Sequence, residues 1–128
     1  KHSINGNKGI GFDPSYVGPD DVLEGRVHFE KRLYKEDCIT NPVDVVVCRH
    51  VIEHVQYPMD LLKMIKNSLE DSSSSKVFIE TPDVKWILKN NVVLDFYYEH
   101  CSYFSAETLK YALEKSGFKV HKISHIFN

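Results

Sequence analysis

Two short segments concentrate the side chains that can hold or move protons. Cys48-Arg-His-Val-Ile-Glu-His54 sets an arginine, two imidazoles and a carboxyl group within seven positions. Phe96-Tyr-Tyr-Glu-His-Cys-Ser-Tyr-Phe104 places Tyr97, Tyr98, Glu99 and His100 among further aromatic rings. Imidazole, carboxyl and phenol together can serve as general base, general acid and oxyanion donor near neutral pH. The second segment therefore suits a substrate pocket walled by aromatics, or else a core-facing loop with two solvated polar residues. A third candidate is Asp13, which follows Gly9-Ile-Gly-Phe12 and precedes Pro14. A carboxylate there can accept both hydroxyl hydrogens of a ribose, or cap its own turn.

His50-Val-Ile-Glu-His54 also spells H-x-x-E-H, the order in which inverted zinc peptidases present two imidazoles to a metal from one helix, with the glutamate as base. Here the letters begin directly off a β-branched run and reach Pro58 after one turn, and no third ligand follows at a diagnostic spacing. No metal ligand is assigned on this pattern; surface or helix-capping histidines are the plainer alternative.

The elements that must position these groups are legible to different degrees. Lys8 to Phe12 reads as a short strand stopped by Asp13-Pro14-Ser15. Val43 to Cys48 is a β-branched, nearly continuous apolar run, expected to be a parallel strand buried on both faces at the centre of the sheet. From Pro58, Leu61, Leu62, Ile65 and Leu69 recur at spacings of three and four, which predicts an amphipathic helix. Asp71 to Ser75 is a serine-rich connection, and Lys76 to Glu80 is a second buried strand that ends at Thr81-Pro82. Ser105 can cap a helix running to Ser116, with Leu109, Ala112 and Leu113 inward and Gly117 as a left-handed stop; Phe118 to Ile123 then begins a last strand. Asp20 to Glu24 is a weak helical patch and Arg26 to Phe29 a weak strand.

Strands alternating with helices, joined by connections too long for hairpins, predict an α/β fold with right-handed crossovers and a mainly parallel sheet flanked by helices. Ligands of such sheets sit beyond the carboxyl ends of the strands. That rule selects Asp13 to Ser15, Cys48 to His54 and Glu80 to Asp83.

At 128 residues, 42% hydrophobic and 27% charged, the chain suits one soluble globular domain. Sixteen basic and eighteen acidic side chains, scattered along the chain, give no electrostatic footprint for nucleic acid or an anionic membrane, so a small-molecule substrate is expected. No apolar run approaches the roughly 20 residues that cross a bilayer. Cys38, Cys48 and Cys101 make neither an even set nor a C-x-x-C pair, which points to a reducing, cytoplasmic setting.

Taken in order, Gly9-Ile-Gly-Phe-Asp-Pro-Ser15, Val47-Cys-Arg-His-Val-Ile-Glu-His-Val55, Ile79-Glu-Thr-Pro-Asp83, Tyr98-Glu-His-Cys-Ser-Tyr-Phe-Ser105 and Gly117-Phe-Lys-Val120 resemble class I S-adenosylmethionine-dependent methyltransferases of Rossmann-like fold, especially the sugar C-methyltransferase branch. The resemblance spans roughly residues 8 to 123. It implies S-adenosylmethionine as cofactor, with Asp13 on its ribose and Cys48, Arg49 and His50 in the segment along its methionine portion. It implies that Glu99 and His100 deprotonate the carbon to be methylated, in a small carbohydrate-derived ketone, while Tyr97 and His54 orient or polarise the substrate. Arg49 and Glu53 would also fix the shape of their loop. An oxygen or nitrogen acceptor on the same fold, a non-catalytic domain and a zinc-binding domain are the alternatives.

The sequence departs from the family in one respect. Nothing before Lys8 supplies the family's first strand or its glycine-rich loop, and the last strand of the fold is also missing. Residues 1–128 are accordingly expected to be a partial methyltransferase domain, longer at both ends in nature, that binds cofactor weakly. An unpaired strand edge left in this way would make a homodimer available by strand pairing.

Overall fold

The computed structural model describes residues 6–69 and 74–126, which divide into two compact units, one running through Cys38 and the other beginning at Ile39.

In the first unit, β1 (Gly9–Phe12) pairs in parallel with β3 (Val27–Glu30), and β2 (Asp21–Val22) joins the other edge of β3 in antiparallel register. The weak strand expected at Arg26 to Phe29 is thus present. The helical patch expected at Asp20 to Glu24 is not. Leu23, Glu24 and Gly25 have φ of 52°, 60° and 74°, and three successive left-handed residues cannot continue a right-handed helix. They make the tight turn that brings β2 back along β3. Phe29 stacks on Tyr16 with ring centroids 4.2 Å apart, and Phe12 meets Tyr34 edge-on at 5.7 Å.

In the second unit, β4 (Val45–Arg49) and β5 (Lys76–Glu80) form a parallel ladder in which Cys48 lies beside Ile79 and Arg49 beside Glu80. Between them runs α1 (Pro58–Asn67), with proline at its first position and Leu62 and Ile65 buried. After β5 come α2 (Val84–Lys89), capped by the Asp83 carboxylate on the Lys85 amide, and α3 (Ala106–Lys115). Helix α3 begins at a reciprocal capping box between Ser105 and Thr108. It ends in a Schellman motif: Phe118 N–H donates to the Leu113 carbonyl and Gly117 N–H to the Glu114 carbonyl. Gly117 carries φ of 87° at the one position where that geometry requires it. Ile52, Leu62, Phe104 and Ala112 form the buried cluster, which ties α1 and α3 to the turn after β4.

Two expectations are corrected here. Val45 and Val47 remain 50% and 59% exposed, so β4 is not buried on both faces. Its apolar run has one covered face and, among the described residues, one ladder partner. Phe118 to Ile123 forms no strand: Phe118 packs on the core cluster, but no neighbouring strand offers a ladder to the residues beyond it. Residues 71–73 of the serine-rich connection lie outside the described residues; Ser75, at its end, donates its hydroxyl hydrogen to the Val43 carbonyl. Among the described residues no helix is long and apolar enough to cross a membrane.

Candidate functional site

Within the second unit, parallel pairing brings the tips of β4 and β5 to one edge, so the turn after Arg49 and the turn after Glu80 lie side by side. The two tips are joined by charge. Arg49 donates through Nε to Glu80 Oε2 at 2.6 Å and through a terminal nitrogen to Oε1 at 3.2 Å, while His50 Nε2 lies 3.1 Å from Oε1. The guanidinium beside it holds the Glu80 carboxyl below the ordinary glutamate range. His50 itself has φ of 50° and the following residues turn without forming a helix. H-x-x-E-H is therefore not presented from a helix face. Its two histidines part company, with His50 turned to Glu80.

Ile52 and Glu53 dip into the interior from this turn; Glu53 is only 2% exposed. Its carboxyl Oε2 accepts from the Thr81 hydroxyl at 3.1 Å. Its backbone carbonyl accepts from the amides of Cys101 at 2.7 Å and Ser102 at 3.1 Å. These two bonds staple the aromatic segment onto the turn, so Glu53 fixes the loop. The consequence is that His54 and His100 meet edge to face with centroids 4.7 Å apart, and Tyr97 and Tyr103 ring His100 at 5.5 and 5.6 Å. Tyr103 also donates its hydroxyl to the Tyr97 carbonyl at 3.1 Å, holding that wall in place. A wide cleft of about 1190 Å³ opens over this surface, with His50, Glu53, His54, Tyr97 and His100 on it. That exceeds the roughly 300–1,000 Å³ of common small-molecule sites, so space does not limit what can enter.

The remaining candidates take other positions. Glu99 is exposed and accepts from the Tyr98 hydroxyl at 2.9 Å rather than joining the cleft. Cys48 is buried under the turn, where burial and the charge of Glu53 push its thiol up to about 11. A thiol raised in this way contributes stability below the ordinary thiol range, and loses it as pH climbs towards that value. It is no nucleophile at neutral pH. Iodoacetamide should accordingly label exposed Cys101 first and Cys48 about a hundredfold or more slowly near pH 8; fast labelling of Cys48 in the native chain, read by peptide mass, would contradict the placement. In the first unit, Asp13 is exposed at the tip of β1, and its Oδ1 accepts from the Ser15 amide at 2.8 Å and the Ser15 hydroxyl at 2.6 Å. Those two bonds hold its carboxyl below the ordinary aspartate range. Among the described residues its Oδ2 accepts no hydrogen bond.

Sequence reasoning passed over Glu80 as the anchor of Arg49 and His50. The signal for Glu80 was present: an acid ending one predicted strand and a base ending the other are register partners if the two strands pair in parallel.

Parallel β pairs, helices laid against them and polar residues collected at the strand tips define a Rossmann-like α/β domain with an incomplete core. Residues 3–123 match the family described as methyltransferase domain, and the chain belongs to that family. No curated protein and no solved structure matches the chain.

Proposed function

We propose that this domain transfers a methyl group from S-adenosylmethionine to a carbon atom of a small, carbohydrate-derived ketone. The observation that carries the reading is the seating of His100 in the cleft: its Nδ1 is buried without a hydrogen-bond partner, and Tyr97, Tyr103 and His54 surround the ring. An imidazole on the cleft surface, held among three rings, suits proton abstraction.

The donor set also fits the cofactor. In the second unit, the turn that carries Arg49 and His50 is the segment that the family resemblance gives to the methionine portion, and His50 lies on the cleft. When bound, S-adenosylmethionine supplies a methyl group on a sulfonium, already electrophilic. The protein must then make a carbon nucleophilic, and an aliphatic carbon beside a carbonyl becomes so only on losing its α-proton. His100 takes that proton, and the pair of electrons left behind is shared with the carbonyl oxygen. Tyr97 and His54 donate to that oxygen as charge grows on it. The aromatic wall and the stapled loop fix the approach.

Incubating the protein with S-adenosylmethionine carrying a ¹³C methyl group and a panel of keto sugars should give a product whose label is bonded to carbon, as read by NMR. Label appearing only on oxygen or nitrogen would overturn the carbon assignment while keeping the family; no transfer to any acceptor, together with no calorimetric binding of S-adenosylmethionine, would overturn the activity.

A further inference from the structure

The floor of the cleft carries more polar valence than the chain itself satisfies. Glu53 is almost wholly buried, and its Oε1 accepts no hydrogen bond; the closest basic atom, His50 Nδ1, lies 3.4 Å away without hydrogen-bond alignment. The Nδ1 of His100 is also buried and without a partner. Glu53, His54 and His100 each direct one ligand-capable atom into this space, and all three atoms lie within 4.8 Å of one another. Buried polar atoms are nearly always paired, and two of the three clustered residues, Glu53 and His100, each carry an orphan.

From this convergence we infer that Glu53, His54 and His100 form a binding site for one divalent transition-metal ion of borderline softness, such as zinc. One carboxylate and two imidazoles are the donor set of open, three-ligand zinc and iron sites, which leave room for water or another ligand. Magnesium and calcium prefer oxygen donors throughout and would be poor occupants. The supports are already in place. Thr81 holds the other oxygen of Glu53, and the Cys101 and Ser102 amides clamp the Glu53 carbonyl, fixing the distance between the two ligand-bearing segments. The set differs from what H-x-x-E-H would suggest: His50 is engaged with Glu80, and its place is taken by His100, together with the glutamate as a ligand instead of a base.

The inference goes beyond the proposed reaction and does not depend on it. Because His100 cannot ligate an ion and accept a proton at once, the ion-bound state is an inhibited state of the proposed reaction, and binding is read directly and without methyl transfer.

The test uses the chain stripped with chelator and titrated with Zn²⁺ by calorimetry, then with Co²⁺, whose visible absorption reports nitrogen and oxygen ligation. One equivalent of Zn²⁺ should bind, Mg²⁺ should not compete, and Glu53→Gln and His100→Gln should each weaken binding by about 10–100-fold. Because Glu53 is buried and its variant can fail to fold, His100→Gln and the Co²⁺ spectrum of the unaltered chain decide the matter independently. His28→Gln, in the first unit, should leave the affinity unchanged. Absence of stoichiometric binding, an affinity indifferent to His100→Gln, or loss of binding in His28→Gln alone would overturn the site.

Discussion

Replacing His100 by glutamine should lower the rate of carbon methylation by about 10²–10⁴-fold, the usual contribution of a positioned general base. Glutamine approximates the size of imidazole and can still donate a hydrogen bond, so the aromatic surround should persist and the substrate KM should change little. The loss then falls on kcat, as expected when a group acts mainly in the transition state. Exchange of the acceptor's α-hydrogen in heavy water separates this from a packing defect: it should be lost in His100→Gln while binding of S-adenosylmethionine is kept. His100 is ringed by Tyr97, Tyr103 and His54, and its replacement leaves the Glu53 staple untouched, since those bonds are made by backbone groups. Unchanged methyl transfer in this variant would show that the acceptor needs no carbon acid chemistry and would favour an oxygen or nitrogen acceptor.

Leu62→Ala should be the most damaging of the simple truncations to stability. Leu62 has no exposed surface and lies in the cluster with Ile52, Phe104 and Ala112. Removing its branched end loses the burial of those atoms and leaves a cavity whose lining is held from both sides by α1 and α3, so a cost of about 2–5 kcal/mol is expected. Against a total stability of about 5–15 kcal/mol for a domain, that is a large fraction. The site should feel it as well, since Ile52 packs in the same cluster and is the residue immediately before Glu53. Urea unfolding followed by far-UV circular dichroism should show a lower midpoint at an unchanged slope. Leu88→Ala, at a position 62% exposed on α2, is the internal comparison and should change the midpoint very little. If Leu62→Ala and Leu88→Ala proved equally mild, the described core would not be the one that holds this unit together.

The contrast between the two histidines of H-x-x-E-H shows how far local pattern reaches. By letters they are equivalent, four residues apart in a short segment. In the fold, His50 adopts a left-handed backbone and reaches Glu80, thirty positions on, while His54 meets His100. Neither partner is encoded within the segment. Glu53 illustrates the same point: its burial follows from Ile52 being drawn into the core and from two amides of the aromatic segment closing over its carbonyl.

What the sequence determined on its own was everything set by short-range sterics and periodicity. The apolar stripe behind Pro58, the Ser105 capping box, the left-handed Gly117 and the β-branched runs that became β4 and β5 all follow from residues within a few positions of one another. So does the placement of polar groups just past the strand ends, because strands stop where proline and small polar residues begin. The tertiary structure alone decided the pairings: one exposed face on β4, a strand at Asp21–Val22 instead of a helical patch, no ladder for Phe118 to Ile123, and which carboxylate each imidazole meets. Those outcomes depend on pairings, from Asp21 with His28 seven positions on to His50 with Glu80 thirty positions on, and a local pattern states which faces are apolar without stating what will cover them.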